Sequence, residues 1–283
     1  MSTKISILLS TYNGERYLSQ QIDSIIHQSC KDWDLYIRDD GSSDNTLQII
    51  EKYCTNYSTH IHFLQNSKHK GVWMSFLWLL EQIESDYYMF CDQDDIWFPE
   101  KIEKTYKKMK AEELNNGDKA IIVCSDLVVV DEQLQLIHNS MWEYSKIFPK
   151  TLKSSFKYLS VCNFVTGCTM MINNKAKEVS FPFSSNATLH DNWIALKVLY
   201  SNGIISPVYE PTILYRQHGK NVCGAAEFKK SNYLLNKIKH LFTTYNNNML
   251  AYKMANSAGG ISVFSYIVYK INYYAMRQFN LSE

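Results

Sequence analysis

Long apolar runs are missing from this chain. No window of the sequence approaches the roughly 18 uninterrupted apolar residues of a membrane-spanning helix. The N-terminal run Ile5 to Leu9 is too short for the apolar core of a secretion signal and leads directly into polar turn residues, so no export signal is expected. Paired cysteines are missing as well. The seven cysteines are odd in number and scattered, with no Cys-x-x-Cys, which excludes a disulfide framework or a zinc ribbon and fits free thiols in a reducing cytoplasm. There is no excess of one charge: 29 Lys plus Arg stand against 28 Asp plus Glu, for a net +1. A whole-protein attraction to nucleic acid is thereby excluded. Internal repeats and low-complexity segments are absent too. The chain does contain 46% hydrophobic and 20% charged residues, ordinary globular composition over 283 residues, and an aromatic content of 14%. That length buries a core without disulfides or a structural metal.

In the first half, short β-branched runs alternate with helical patterns. Strands are expected at Ile5 to Leu9, Leu35 to Ile37, Ile61 to Leu64 and Tyr87 to Cys91. Helices are expected near 17–28, after Asp44 as a cap, at 72–83 and at 100–112 behind Pro99. This alternation predicts βαβ units and a mostly parallel sheet with helices on both faces. Beyond residue 120 come two long β runs, Ala120 to Val130 and Val165 to Ile172, then a helix over Asp191 to Ser201 and a late strand over Thr212 to Tyr215. After Gly224 the pattern is helical, near 227–242, 245–256 and 261–279. Residues 225–283 carry seven basic and two acidic residues, a formal +5, which leaves −4 on residues 1–224. The near-neutral total conceals two regions of opposite sign.

Ligands of an open parallel sheet bind beyond the carboxyl ends of its strands. Here those ends read Ser10-Thr11-Tyr12-Asn13, Asp39-Asp40 and Asp92-Gln93-Asp94-Asp95. So many carboxylates on one rim repel each other unless a cation or hydrogen-bond donors stand among them, and an all-oxygen set favours Mg²⁺ or Mn²⁺. Strand-ending acids also serve as turn residues and helix caps, the role read for Asp44. In the later Tyr-Arg-Gln-His-Gly string, Arg216 is suited to bidentate phosphate contact and His218 to phosphate or metal contact. Gly71-Val72-Trp73 and Asn163-x-x-x-Gly167 either shape a binding floor or simply pack.

The string ISILLSTYNGERYLSQQIDSIIHQS, followed by DWDLYIRDDGSSDNT and YYMFCDQDDIWFPEKI, resembles glycosyltransferase family 2. HDNWIALKV at 190–198 and YRQHGKNVCG at 215–224 extend the resemblance to the bacterial rhamnosyltransferase branch of O-antigen and lipopolysaccharide biosynthesis. The resemblance implies a GT-A fold: a Rossmann-like α/β domain over residues 1–224, with a nucleotide-sugar half at 1–118 and an acceptor half at 119–224. A basic helical C-terminal region follows at 225–283. It also implies an inverting transferase that moves L-rhamnose from dTDP-β-L-rhamnose to a glycan carried on polyprenyl pyrophosphate. A hexosyltransferase using a UDP-sugar is the alternative. A sugar nucleotidyltransferase would open with a Gly-rich, Arg-containing loop, and this chain has Ser-Thr-Tyr-Asn-Gly there. A non-catalytic carbohydrate-binding module would not need Asp92, Asp94 and Asp191 together.

Carried over residue by residue, the resemblance puts Thr11, Tyr12 and Glu15 in the nucleotide pocket. Asp39 accepts from the N3–H of a pyrimidine base, as a carboxylate can. Asp92, Asp95 and Arg216 contact the nucleotide sugar. Asp94 and His218 hold the Mg²⁺ or Mn²⁺, with Asp92 as a further candidate ligand. Asp191 is the general base; many family members have Glu-Asp at this point, whereas this chain has His190-Asp191, as its branch does. In the tail, Phe228, Tyr233, Leu234, Leu235, Ile238, Leu241 and Phe242 interleave with Lys229, Lys230, Lys237, Lys239 and His240. This pattern reads either as an amphipathic helix lying on an anionic inner leaflet, giving peripheral contact with the cytoplasmic face of the membrane, or as a helical cap with a solvated basic face.

Overall fold

The computed structural model describes residues 4–65, 71–219 and 241–279. The proposed amphipathic segment at 228–240, Cys223 and Gly224 lie outside the described residues. The first half follows the expected alternation: β1 (Ile5–Thr11), α1 (Leu18–Ile26), β2 (Trp33–Asp39), α2 (Thr46–Asn56), β3 (Ile61–Phe63), α3 (Val72–Gln82) and β4 (Tyr87–Cys91). A two-residue strand β5 (Ile96–Trp97) and helix α4 (Lys101–Asn116) come next. The second half holds β6 (Ile121–Val130), β7 (Leu136–His138), short helices α5 (Met141–Tyr144), α6 (Pro149–Leu152) and α7 (Phe156–Val161), then β8 (Met170–Asn173) and α8 (Asn174–Ser180). It continues with α9 (His190–Tyr200), β9 (Ile204–Arg216), α10 (Leu241–Gly259) and α11 (Val263–Phe279).

One nine-stranded sheet has the order β3-β2-β1-β4-β8-β6-β9-β5, with β7 paired to β6. Strands β1 to β4 are parallel, β8 runs against both β4 and β6, and β9 runs with β6. Thr11 lies opposite Asp39, and Leu9 opposite Cys91, so the polar ends of β1, β2 and β4 share one edge. Strand side chains alternate between the two faces. Tyr88 and Phe90 join Leu8, Phe76, Ile122 and Trp193 in one apolar layer, while Met89 and Cys91 join Ile7, Leu9, Ile22 and Val123 in the other. All ten residues of β6 are buried, as expected of a strand covered on both faces, with Ser125 and Asp126 interrupting an otherwise apolar run.

Three features depart from the sequence reading, one of them the expected run Val165 to Ile172, where only β8 (Met170–Asn173) is strand, behind a tight helical turn at Gly167–Thr169. Strand β9 spans 13 residues, not only Thr212 to Tyr215. Pro207 and Pro211 interrupt its pattern, yet bulges at Ser125/Asp126 and Asp126/Val128 let β6 keep pairing with it. Asn45, not Asp44, is the residue before α2; the Asp44 carboxylate accepts from Thr46 N–H at 3.1 Å and from Glu15 N–H at 3.2 Å. The tail helices, by contrast, pack on the catalytic domain as the cap reading expects: Met254, Ala255, Ala258, Tyr266 and Tyr273 are buried with Phe76 and Trp193. Among the described residues, no helix is long and apolar enough to cross a membrane.

Arg38, next to last in β2, has no exposed surface; it donates to Asp40 at 2.6 Å and to Ser75 Oγ, and stacks over Trp78 at 5.6 Å. Asp40 in turn accepts from Gly71 N–H at 2.8 Å, fixing the start of α3. Removing one partner of such a buried pair costs about 3–5 kcal/mol, because a desolvated charge remains. Asp40→Ala is therefore expected to lower the unfolding free energy, measured by urea titration, by that margin, whereas substitution of the exposed pair Lys104–Glu210 should leave it essentially unchanged.

Candidate active site

Gln93 builds the floor of the cleft. Its Oε1 accepts from Thr11 Oγ1 at 2.6 Å and Tyr12 N–H at 2.9 Å, and its Nε2 donates to Tyr12 O at 3.2 Å. One side chain thus ties the loop after β4 to the end of β1. Gly14 completes the join, since a Cβ there would lie 2.5 Å from Gln93 Oε1 and 2.7 Å from Thr11 Oγ1. Tyr12 stays 45% exposed over the cleft. Glu15 turns elsewhere: its carboxylate accepts from Asn45 N–H at 2.8 Å and Asn45 Nδ2 at 2.9 Å, locking the loop to the start of α2.

Asp39 is buried at the end of β2. Its Oδ2 accepts from Gly41 N–H at 3.0 Å and Ser42 N–H at 2.8 Å, and its Oδ1 accepts from Ser42 Oγ. A carboxylate has about four acceptor positions. Three are used here, so one remains to receive an imide or amide N–H.

The carboxylates of the loop after β4 go to three different places. Asp94 meets His218 Nε2 at 2.6 Å, across 124 residues of sequence. Asp95 is 1% exposed and accepts from Arg216 N–H at 3.1 Å, inside the wall and not toward the cleft. Burial, with the charges of Asp94 and Asp92 behind it, holds its acid well above the usual carboxylate range. Asp92 stands between them, pushed up to about 7 by burial and then by the charges of Asp94 and Asp191. Its oxygens, those of Asp95 and Cys168 Sγ include atoms that all lie within 4.8 Å of one another. Burial also raises the Cys168 thiol well above its ordinary value, so sulfur there is a thiol, a poor partner for a hard ion. Asp94 and His218 offer a carboxylate oxygen and an imidazole nitrogen, donor types that a divalent cation accepts, and here the two are paired with each other at 2.6 Å.

Arg216 is not free to clamp a phosphate. It is 3% exposed, and its guanidinium donates to Asp94 O at 2.9 Å, Glu132 O at 2.8 Å and Gln20 Oε1 at 2.7 Å. It stacks on the Tyr17 ring at 4.7 Å, and that ring stacks on His218 at 5.1 Å. Tyr17 Oη donates to Glu132 at 2.6 Å. The position expected to touch donor phosphates instead fastens the end of β9 to α1 and holds His218 over Asp94.

Asp191 opens α9 on the opposite side of the cleft. Its Oδ2 accepts from Gly167 N–H at 3.0 Å and its Oδ1 from Asn192 N–H at 2.6 Å. Burial pushes its acid up to about 6, the range in which a carboxylate works as a base near neutrality. His190 beside it is buried against Phe76 at 4.4 Å and Phe90 at 5.0 Å, and burial depresses its imidazolium to about 3. It is neutral and adds no charge next to Asp191. A Cβ on Gly167 would sit 2.6 Å from His190 Nε2, so the main chain that holds Asp191 requires glycine. Gly167→Ala is expected to lower turnover at least tenfold while leaving nucleotide affinity in place. Adding His190→Ala, which removes the obstructing ring, should recover part of the loss in steady-state assays.

Sequence reasoning missed Gln93, Tyr17, Glu132 and Cys168. Only Gln93 left a signal, because it interrupts an acidic run at a strand end. Lys101 was missed too: a buried amine pushed down to about 8 by desolvation, donating to Thr212 Oγ1 at 3.2 Å below the acidic floor.

A carboxylate whose folded pKa lies above its unfolded value binds its proton more tightly in the folded chain. Its contribution to stability is therefore present at low pH and lost as pH rises through the folded value. For Asp92 the window runs from about 4, the unfolded value, to about 7. Without divalent ions, Asp92→Asn should thus match the native chain in thermal midpoint only below about pH 4 and exceed it by a few degrees at about pH 7.5.

The model of Glycosyl transferase family 2 matches residues 6–180. The chain is 28% identical over 241 residues to dTDP-rhamnosyl transferase RfbG of Shigella flexneri, covering 81% of this chain and 80% of that protein. It is 26% identical over 202 residues, 71% of each chain, to the UDP-Glc:alpha-D-GlcNAc-diphosphoundecaprenol beta-1,3-glucosyltransferase WfgD of Escherichia coli. Identity reaches 40% against EpsE of Bacillus subtilis (strain 168), but over 101 residues that span only 36% of that relative. In three dimensions the chain superposes on S. aureus TarS 1-349 in complex with UDP-GlcNAc with a TM-score of 0.64 at 16% identity, covering 99% of this chain and 74% of that one. The converging strand ends and the family match over more than half its length lead to one conclusion: this chain belongs to glycosyltransferase family 2.

Proposed function

We propose that the protein is an inverting, divalent-metal-dependent glycosyltransferase that uses a pyrimidine nucleotide sugar, dTDP-β-L-rhamnose first among donors. A glycan on a polyprenyl pyrophosphate lipid, in O-antigen or capsule assembly at the cytoplasmic face of the membrane, is the acceptor. The observation that carries the chemistry is Asp191, a buried carboxylate held by Gly167 N–H, raised to about 6 and felt electrostatically by Asp92 across the cleft. In this reading Asp39 receives the base N3–H in its remaining acceptor position, and Tyr12 lies over the nucleotide. Asp191 takes the proton of the acceptor hydroxyl as that oxygen attacks the anomeric carbon, and the nucleoside diphosphate departs from the opposite face. Asp94 and His218 hold the cation, with Asp92 within its reach; when bound, it neutralises charge on the leaving diphosphate. Asp95 and Arg216 act behind them by fixing the loop.

The rhamnosyl donor rests on RfbG, which matches most of this chain. A UDP-hexose is the second reading, favoured by the names of WfgD and of the TarS complex. A donor panel with a synthetic lipid-pyrophosphate acceptor, run with and without EDTA, decides between them. Fastest turnover of dTDP-rhamnose, lost on chelation, is expected. Preference for a UDP-sugar would replace the donor, and transfer indifferent to thorough chelation would remove the metal.

A further inference from the structure

Helix α11 presents its apolar residues outward. Tyr266 and Tyr273 are buried in the core, but Val263 is 53% exposed, Phe264 78%, Ile267 50% and Ile271 62%. At about 100° per residue these four share one side of the helix. Beside them lies an open cavity of about 720 Å³ with Tyr252, Ile267, Ile271 and Tyr274 in its wall. A contiguous exposed apolar surface of this kind marks an interaction site.

The surrounding charge says what kind. Residues 241–279 contain Lys253, Lys270 and Arg277 and not one Asp or Glu. Lys270 and Arg277 stand in the cavity wall together with Ile267 and Ile271. The inner side of the helix is held against the catalytic domain: Lys157 Nζ lies 5.4 Å from the Tyr269 ring, and Tyr273 Oη accepts from Phe148 N–H at 3.1 Å. The exposed apolar side chains of this helix thus have cationic, and no anionic, neighbours on the helix itself and in the cavity wall.

We infer that the outer face of α11 docks on an anionic lipid surface, with Val263, Phe264, Ile267 and Ile271 entering the headgroup region and Lys270 and Arg277 beside them facing lipid phosphates. This deepens the proposed lipid-linked acceptor and rests on that reading only for its purpose. To the contact expected at 228–242, most of which lies outside the described residues, it adds a helix that packs on the catalytic domain. An amphipathic helix of this type binds through apolar burial plus attraction to anionic lipid. Such attraction is screened by salt.

The test is flotation of the full chain with vesicles of phosphatidylcholine alone or with 30–40% (about one lipid in three) phosphatidylglycerol. Binding to the anionic vesicles at low salt, weakened at least tenfold by Ile267→Asp/Ile271→Asp and by high salt, is expected. Both positions are solvent-exposed, so the thermal midpoint and nucleotide affinity of the double variant should match the native chain. Lys270→Gln/Arg277→Gln provides a second variant that removes charge, leaves the apolar face in place and should weaken binding likewise. A native chain that stays unbound at low salt, or binding unchanged in both variants, overturns the proposal. A dimer in sedimentation that the Asp pair disrupts, without vesicle binding, also overturns it in favour of self-association. Transfer to a short, water-soluble acceptor, measured in parallel, tests the glycosyltransferase reading separately.

Discussion

Asp191→Asn is expected to bind nucleotide sugar as the native chain does and to lose transfer by about 10²–10⁴-fold, the range general base catalysis contributes. Asparagine preserves the shape and can still accept from Gly167 N–H, but it cannot take a proton at neutral pH. The matching pH profile is one-sided. Because the working form is the carboxylate, and burial holds its acid at about 6, turnover should fall tenfold per unit below about pH 6 and level off above it. Rate measurements on saturated enzyme, with calorimetric titration of nucleotide, check both halves. A variant with full turnover would sink the assignment of Asp191 as base, whatever its fold.

Asp94→Ala and His218→Ala should each remove the stimulation by Mg²⁺ or Mn²⁺, at a cost on the order of 10³-fold in turnover. The two effects should not add, since each variant empties the same cation site across the 2.6 Å contact. Native enzyme treated with EDTA should fall to the level of the variants and recover when metal returns, while the variants do not recover. Arg216→Met makes an informative contrast. It leaves both ligands in place but releases the Tyr17–His218 stack, so the metal concentration needed for half-maximal rate should rise with a smaller loss at saturation.

Much of the site was legible because strand ends in a parallel sheet announce themselves. Asp39 and the Asp92 to Asp95 string follow apolar runs, and the parallel register brings Thr11 beside Asp39. What composition and spacing could not reveal is direction. Asp94 and Asp95 are neighbours with the same chemistry, yet one pairs with His218 and the other is 1% exposed against the Arg216 main chain. Arg216 has the chemistry of a phosphate clamp, but three main-chain and side-chain acceptors at 2.7–2.9 Å claim its guanidinium first. Strand β9 was underestimated because Pro207 and Pro211 break the local pattern, whereas its partner β6 tolerates them through bulges.

By itself the sequence determined the alternating α/β architecture, the family, the acidic edge and the two-signed charge distribution, because each is written in local periodicity or in short strings. Tertiary structure alone decided which acids pair with which partners, why Gly167 must lack a side chain, and where the apolar face of the tail points. Those depend on contacts such as Asp94 with His218 and Gly167 with Asp191, which bring distant segments together only after the sheet has closed. A side chain's burial, and with it the pKa of Asp191, is a property of that closure and not of the residue type.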